Sequence, residues 1–339
     1  MMCDQQGPTL ANQQQVPQIP AEDFIQAVKE AASRGNLDLA EELSKAENRF
    51  CNTFIGINDE DAIDLNSIDY PYKLVINNTT FKGHFNVSGA HFKKSLDLSC
   101  CTFEQNVNFL GAQIDGRLTL AGARIFCRKL SEDKANFRLI HINGDLVAYA
   151  TSEHRTSFST DVNFSSAKVL GQATFSGAEI KGKLDLQGAE IKGNLFFSPK
   201  EKWRTEIDGQ VWLPAAKIKG QVDLGGASIG AREVRGNYED DKKVRIALAL
   251  EAAEIEDGLL CSPNPKVLSN IYRTEIFGCA WLPGARITGK VDLSGARIEG
   301  DLVLREAKIE GKLDLMREIF DSKCYRTEIT GKADLRSCF

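Results

Sequence analysis

The chain repeats a hydrophobic pattern every eleven residues. From Ala285 it reads Ala285, Ile287, Gly289, Val291 and Leu293. It returns at Ala296, Ile298, Gly300, Leu302 and Leu304, and again at Ala307, Ile309, Gly311, Leu313 and Leu315. The unit is A-x-I-x-G-x-L-x-L-x-G. A short fixed period that carries apolar positions specifies a solenoid, in which each unit buries its apolar face only by stacking on its neighbours. Apolar residues alternate within the unit, so each half lies extended with both apolar side chains on one side. Between units the alternation breaks, with a step of three from Leu293 to Ala296. The chain must turn there, and Gly295 turns at low cost. A helix is excluded, because glycine at this frequency would cost about 1 kcal/mol per residue against alanine.

Each half-unit is therefore a short straight face and each glycine region a corner. Coils stack about 4.8 Å apart through backbone pairing, and inward positions form ladders of like residues. Outward positions carry Arg286, Lys290, Asp292, Arg297, Glu299 and Asp301, which read as a solvated surface of mixed charge.

The small-residue slot recurs at Thr79, Ala90, Cys101, Ala112 and Ala123, with Phe81, Phe85, Phe92, Phe103 and Phe109 in core positions. After interruptions it resumes at Ile140, then at Thr156, Thr205, Thr274 and Thr327, for roughly 21 units in all. The segments ARITG, VDLSG, ARIEG and AKIEG resemble pentapeptide repeats, and the resemblance covers about 68–335 with interruptions. Long arrays of this five-plus-six kind also resemble those of uncharacterised bacterial repeat proteins. The pentapeptide-repeat resemblance implies an all-β fold: a right-handed parallel β-helix with quadrilateral coils, two units to the coil and roughly ten coils.

Residues 1–20 are rich in Gln, Pro and Asn and read as a disordered tail. Residues 21–67 read as a short helical hairpin and lead-in that cap the solenoid of 68–339. Glu22 and Asp23 suit a first helical turn, Phe24, Ile25, Val28, Ala31 and Ala32 share one face, and Gly35 stops the helix. Asn36 caps a second short helix over about 37–47.

Net charge is −5, too weak to argue for nucleic-acid or membrane attraction. No apolar run reaches the roughly 18 to 20 residues of a spanning helix. The first residues lack the basic and apolar regions of a secretory signal, which points to a cytoplasmic protein without membrane insertion. Nine cysteines at irregular spacing, with Cys101 in an alanine slot and Cys261 in a leucine slot, read as buried thiols. The four histidines, His84, His91, His141 and His154, are scattered, and the acidic loop Glu239-Asp240-Asp241 is no calcium cage. No catalytic, cofactor or metal site emerges, and no phosphate loop or nucleophile elbow is present.

The interruptions, at about 126–138, 151–155, 198–203, 231–243, 262–272 and 316–325, are the most individual part of the chain. Three end alike: Trp203-Arg204-Thr205-Glu206-Ile207, Tyr272-Arg273-Thr274-Glu275-Ile276 and Tyr325-Arg326-Thr327-Glu328-Ile329. Phe137-Arg138 is a weaker echo. The structural reading has the aromatic cover the base of the excursion while the arginine bonds freed carbonyls. The functional reading makes Trp203, Arg204, Tyr272, Arg273, Tyr325 and Arg326 a row presented to a protein partner.

The expected function is a non-enzymatic scaffold that binds protein partners through its faces and loops. One alternative is a DNA-mimicking inhibitor of a topoisomerase-like enzyme, which needs a dense negative face; residues 274–315 hold six basic and seven acidic side chains. Another is an enzyme with its site on a solenoid face. The last unit runs straight to Cys338 and Phe339 without a cap. That end predicts a homodimer through the C-terminal coils, or a truncated member of a longer array.

Overall fold

The computed structural model describes residues 18–34, 54–56, 62–126, 135–230, 245–267, 270–320 and 323–336. The tail before Gln18, the second helix expected over 37–47, the acidic loop of 237–243 and Cys3, Cys51, Cys127 and Cys338 lie outside the described residues.

Strands of mostly two residues stack into four long parallel sheets of 12, 11, 10 and 10 strands, the walls of a right-handed β-solenoid. We name the four faces A to D in chain order. One coil runs through Glu275–Ile276 on face A, Cys279–Trp281 on face B, Arg286–Ile287 on face C and Lys290–Asp292 on face D. The next coil places Arg297–Ile298 on Glu275–Ile276 and Lys308–Ile309 on Arg286–Ile287, so a coil takes two eleven-residue units. The strands are short because a corner follows every apolar pair.

Inward positions form the core expected from the pattern. The aromatic half is laddered: Phe81 stacks on Phe103 at 4.8 Å, Phe109 on Phe137 at 4.9 Å and Phe137 on Phe164 at 4.5 Å. Beyond Phe197, Leu, Ile and Val fill the same slots. Burial raises the Cys261 thiol well above its ordinary value, and Cys101 is fully buried in its alanine slot. Cys261 packs as an apolar group, and the Cys101 thiol also donates to the Ile76 carbonyl at 2.9 Å. Among the described residues no disulfide forms.

The helix α1 (Ala21–Arg34) buries Phe24, Val28 and Ala31, and Phe24 meets Phe81 edge-on at 6.1 Å. It packs against Ile63–Asp64 and Asp69–Tyr70, covering the first coil. The solenoid extends further toward the N-terminus than the repeat signal. Gln18–Ile19, in the segment read as tail, pairs in parallel with Phe54–Ile55, which pairs with Thr80–Phe81. The inward Ile55 supplies the apolar residue that makes this extra rung worth burying.

Outward positions are more ordered than a solvated surface. On face B, Asn108 donates to Asn86 at 3.1 Å and Asn136 to Asn108 at 3.1 Å, while each of these carbonyl oxygens also accepts the backbone N–H two residues on. Asp292 on face D accepts from the Ser294 N–H at 3.0 Å and from Lys290 at 2.8 Å, and it is only 7% exposed. These side chains close the corner that follows them, the known habit of Asn and Asp in turns.

Candidate functional site

Among the described residues from Ile63 on, the insertions fall at two of the four edges. The segments 126–134 and 231–244 leave between faces A and B. The segments around 150–155, 198–203, 262–272 and 316–325 all leave between faces D and A. On that D-to-A edge they occur in every second coil: before Ser157, Glu206, Glu275 and Glu328, and not before the intervening Glu179, Ser228 and Arg297. Successive excursions therefore stand about 9.6 Å apart, two strand spacings of about 4.8 Å. Two are antiparallel hairpins, Asn264–Val267 with Asn270–Tyr272 and Glu318–Phe320 with Lys323–Tyr325. The 198–203 excursion is closed by the Lys200–Trp203 bridge.

The recurring Arg-Thr-Glu explains how an excursion returns to register. The threonine Oγ1 accepts the N–H of the corner glycine one coil back: Thr156 from Gly122 at 2.8 Å, Thr205 from Gly177 at 2.7 Å, Thr274 from Gly226 at 2.8 Å and Thr327 from Gly295 at 3.0 Å. Its own hydrogen reaches back across the excursion, from Thr156 to the Tyr149 carbonyl at 2.7 Å and from Thr327 to that of Met316 at 2.9 Å. In coils without an excursion the slot holds Ala178, Ala227 or Ala296, where a direct corner leaves nothing to bridge.

The arginine spans two coils. Arg155 donates through Nε to the Gly177 carbonyl one coil on at 3.1 Å. Arg204 does the same to Gly226 at 2.8 Å and Arg273 to Gly295 at 2.7 Å. Nη2 then reaches the backbone carbonyl of the next arginine in the series, Arg155 to Arg204, Arg204 to Arg273 and Arg273 to Arg326. The glutamate completes the lock: Arg155 pairs with Glu206 at 3.0 Å, Arg204 with Glu275 at 2.8 Å and Arg273 with Glu328 at 3.2 Å. Charge-assisted bonds of this kind are strong and directional.

Among the six residues read as a partner-binding row, Arg204 and Arg273 thus point along the edge and bind the chain itself. Trp203 donates its indole N–H to the Thr151 carbonyl at 3.1 Å, and its ring lies 5.7 Å from the Arg155 guanidinium. Tyr272 lies 5.8 Å from that of Arg204. The aromatics therefore cover the preceding arginine and not only the base of their own excursion. Arg326 is exposed. Phe137-Arg138 is not a member of the series: it follows the face B strand Ala135–Asn136, with Phe137 in the core. The missing fourth member is His154-Arg155-Thr156. Its excursion is so short that no aromatic marks it, but an arginine directly before a threonine in the small-residue slot would have found it.

His84 lies beside the face B strand and His91 on face C, where it bonds Asp115 at 2.8 Å. That bond and those from Gln113 and Asn143 make Asp115 a local hub. The Gln113 and His91 contacts hold its carboxyl below the usual range. Among the described residues no group of three or more His, Cys, Asp or Glu could hold a metal ion, and no helix is long and apolar enough to cross a membrane. Set beside known proteins, the chain matches no family model, no curated protein and no solved structure.

Proposed function

We propose that this protein is a non-enzymatic interaction scaffold that holds protein partners along its D-to-A edge. The observation that carries the reading is the placement of four excursions on one edge at a two-coil period, each returning through a threonine bonded to a corner glycine and joined to the next by an arginine that bonds its backbone carbonyl and glutamate. A rigid base with regularly spaced projections limits the ordering entropy lost when a partner docks. The last excursion carries Met316 and Ile319 outward, 65% and 59% exposed, as apolar contact surface.

The test replaces the excursions at 199–203, 263–272 and 317–325 with the direct corner of the alternate coils. A photo-reactive group placed at Tyr325 in the full chain identifies the neighbour, which is then purified and its affinity measured for both forms. The expected result is binding by the full chain and loss of at least about tenfold in affinity in the trimmed chain, with unchanged β-type circular dichroism. Equal binding by both forms overturns the edge as the contact surface.

A further inference from the structure

Face C, which does not border the excursion edge, carries a cavity of about 380 Å³. It spans four coils, in which Lys217–Ile218, Glu254–Ile255, Arg286–Ile287 and Lys308–Ile309 stack in register. Ile218, Ile255 and Ile287 are buried, while the residues on either side of each are exposed. The outward column Lys217, Glu254, Arg286 and Lys308 forms one wall, the column two positions on forms the other, and strand backbone is the floor.

The direction of the ion pairs keeps the space open. Lys217 pairs with Glu254 at 4.0 Å and Lys219 with Glu256 at 3.8 Å, each along its own column. Nearer the N-terminus the bonds run across, from His91 and Gln113 to Asp115, and join the two columns. Among the described residues the one pair that crosses the cavity is Lys308–Glu310 at 3.1 Å, in its last coil.

The same pairs leave one charge over. Seven charged side chains line the cavity, four basic and three acidic, and each glutamate is matched by a lysine. The Arg286 guanidinium has no ion pair and no hydrogen bond among the described residues. Thr288, two positions on in the opposite wall, is uncharged and donates its hydroxyl to the Glu256 carbonyl.

The unmatched group selects the occupant. A guanidinium is matched by a planar carboxylate, which accepts two parallel N–H bonds. The three glutamates repel a dianion such as phosphate more than a singly charged carboxylate. The cavity is far larger than a bare carboxylate, and the aliphatic stems of its lysines offer apolar walls to whatever carries the charge. Its charged lining residues are all exposed, so a chain can cross it without threading. We propose that the face C cavity binds a segment of a partner protein that presents one acidic side chain, its carboxylate held bidentately by Arg286 and the flanking residues lying on the lysine stems.

The experiment titrates the full chain with a blocked alanine peptide that carries a single central glutamate. The comparison arms are the same peptide with glutamine, the same peptide with phosphoserine, and sodium acetate. Binding is read by calorimetry and by protection of Arg286 from phenylglyoxal, followed by peptide mass. The expected result is saturable binding of the glutamate peptide with Arg286 protected. Arg286→Gln weakens it about tenfold or more with circular dichroism unchanged. Glu254→Gln strengthens it about threefold, because a repelling charge beside the site is removed. The excursion-trimmed chain binds as the full chain does, so this site and the D-to-A edge stand or fall separately. Absence of saturable binding overturns the proposal. So does equal binding of the glutamine peptide, unchanged affinity in a folded Arg286→Gln protein, tighter binding of the phosphoserine peptide, or equal protection by acetate at the same concentration. Where Arg286→Gln does not fold, protection of Arg286 in the unmodified chain by the glutamate peptide and not by the glutamine peptide still decides the outcome.

Discussion

At the residue scale, the two glycines of the unit answer different demands. Gly295, at the end of the unit, has φ +67° and turns the chain through the left-handed region. Gly289, in the middle, has no such dihedral; a Cβ there would lie 1.9 Å from the Asp257 carbonyl oxygen of the coil below. The first glycine serves rotation and the second close approach. Leu139 occupies a left-handed corner with φ +56° and is 56% exposed, so it bears the conformational cost with little burial in return. Replacing Leu139 with glycine is expected to stabilise the fold by about 1 kcal/mol, read as a higher urea midpoint. Gly289→Ala should move the midpoint the opposite way, because backbone and not a flexible side chain blocks the new methyl. A Gly289→Ala protein as stable as the parent would remove close approach as the reason for that glycine.

At the element scale, the Arg-Thr-Glu lock is what lets a strand of face A restart in register after an excursion. Thr274 is fully buried and its Oγ1 is the partner of the Gly226 N–H. Thr274→Val keeps the shape and leaves that donor unsatisfied in the interior. The expected cost is about 1–3 kcal/mol. Hydrogen exchange should show lost protection concentrated in the coils on either side of the 262–272 excursion. A uniform loss along the rod, or none, would count against the lock as a local device. The aromatic-Arg-Thr-Glu string was legible in the sequence at three places, as was the bonding of carbonyls by its arginines. Its two-coil reach was not, because Arg204 and the Arg273 carbonyl are 69 residues apart and only coil stacking brings them together.

At the scale of the whole molecule, each coil depends on its neighbours, and stability is a sum of interfaces along the axis. Acid should act unevenly on that sum. The carboxyl of Asp314 is held well below its ordinary value, chiefly by the Lys312 ammonium and the Met316 N–H, and Asp334 is lowered to about 2 by its bonds to Arg336. Both have a lower pKa folded than unfolded. The stability they lend is therefore full above the unfolded carboxylate value near 4 and is lost as pH falls from there toward about 2. Exchange protection in coils beyond Leu302 should decline across that window before that of the aromatic coils around Phe175 and Phe197, whose stacked core carries no titrating group. Simultaneous loss along the whole rod would contradict this order.

Much of the architecture was determined by the sequence alone: the eleven-residue period and the inward ladders follow from alternation and glycine placement, which are local properties, while the four-faced coil of two units was implied by the resemblance to pentapeptide repeats. The capping helix α1 followed from helical spacing in the same way. Three things were decided only by the tertiary structure. One is the gathering of four excursions on a single edge, since a face is assigned by counting corners through every earlier insertion. The second is the meaning of the outward Asn and Asp residues, which close corners and bond coil to coil instead of merely facing water. The third is the outward column of face B, where Trp212 and Trp281 come to flank Ala249 because stacking, not sequence distance, sets which outward side chains meet.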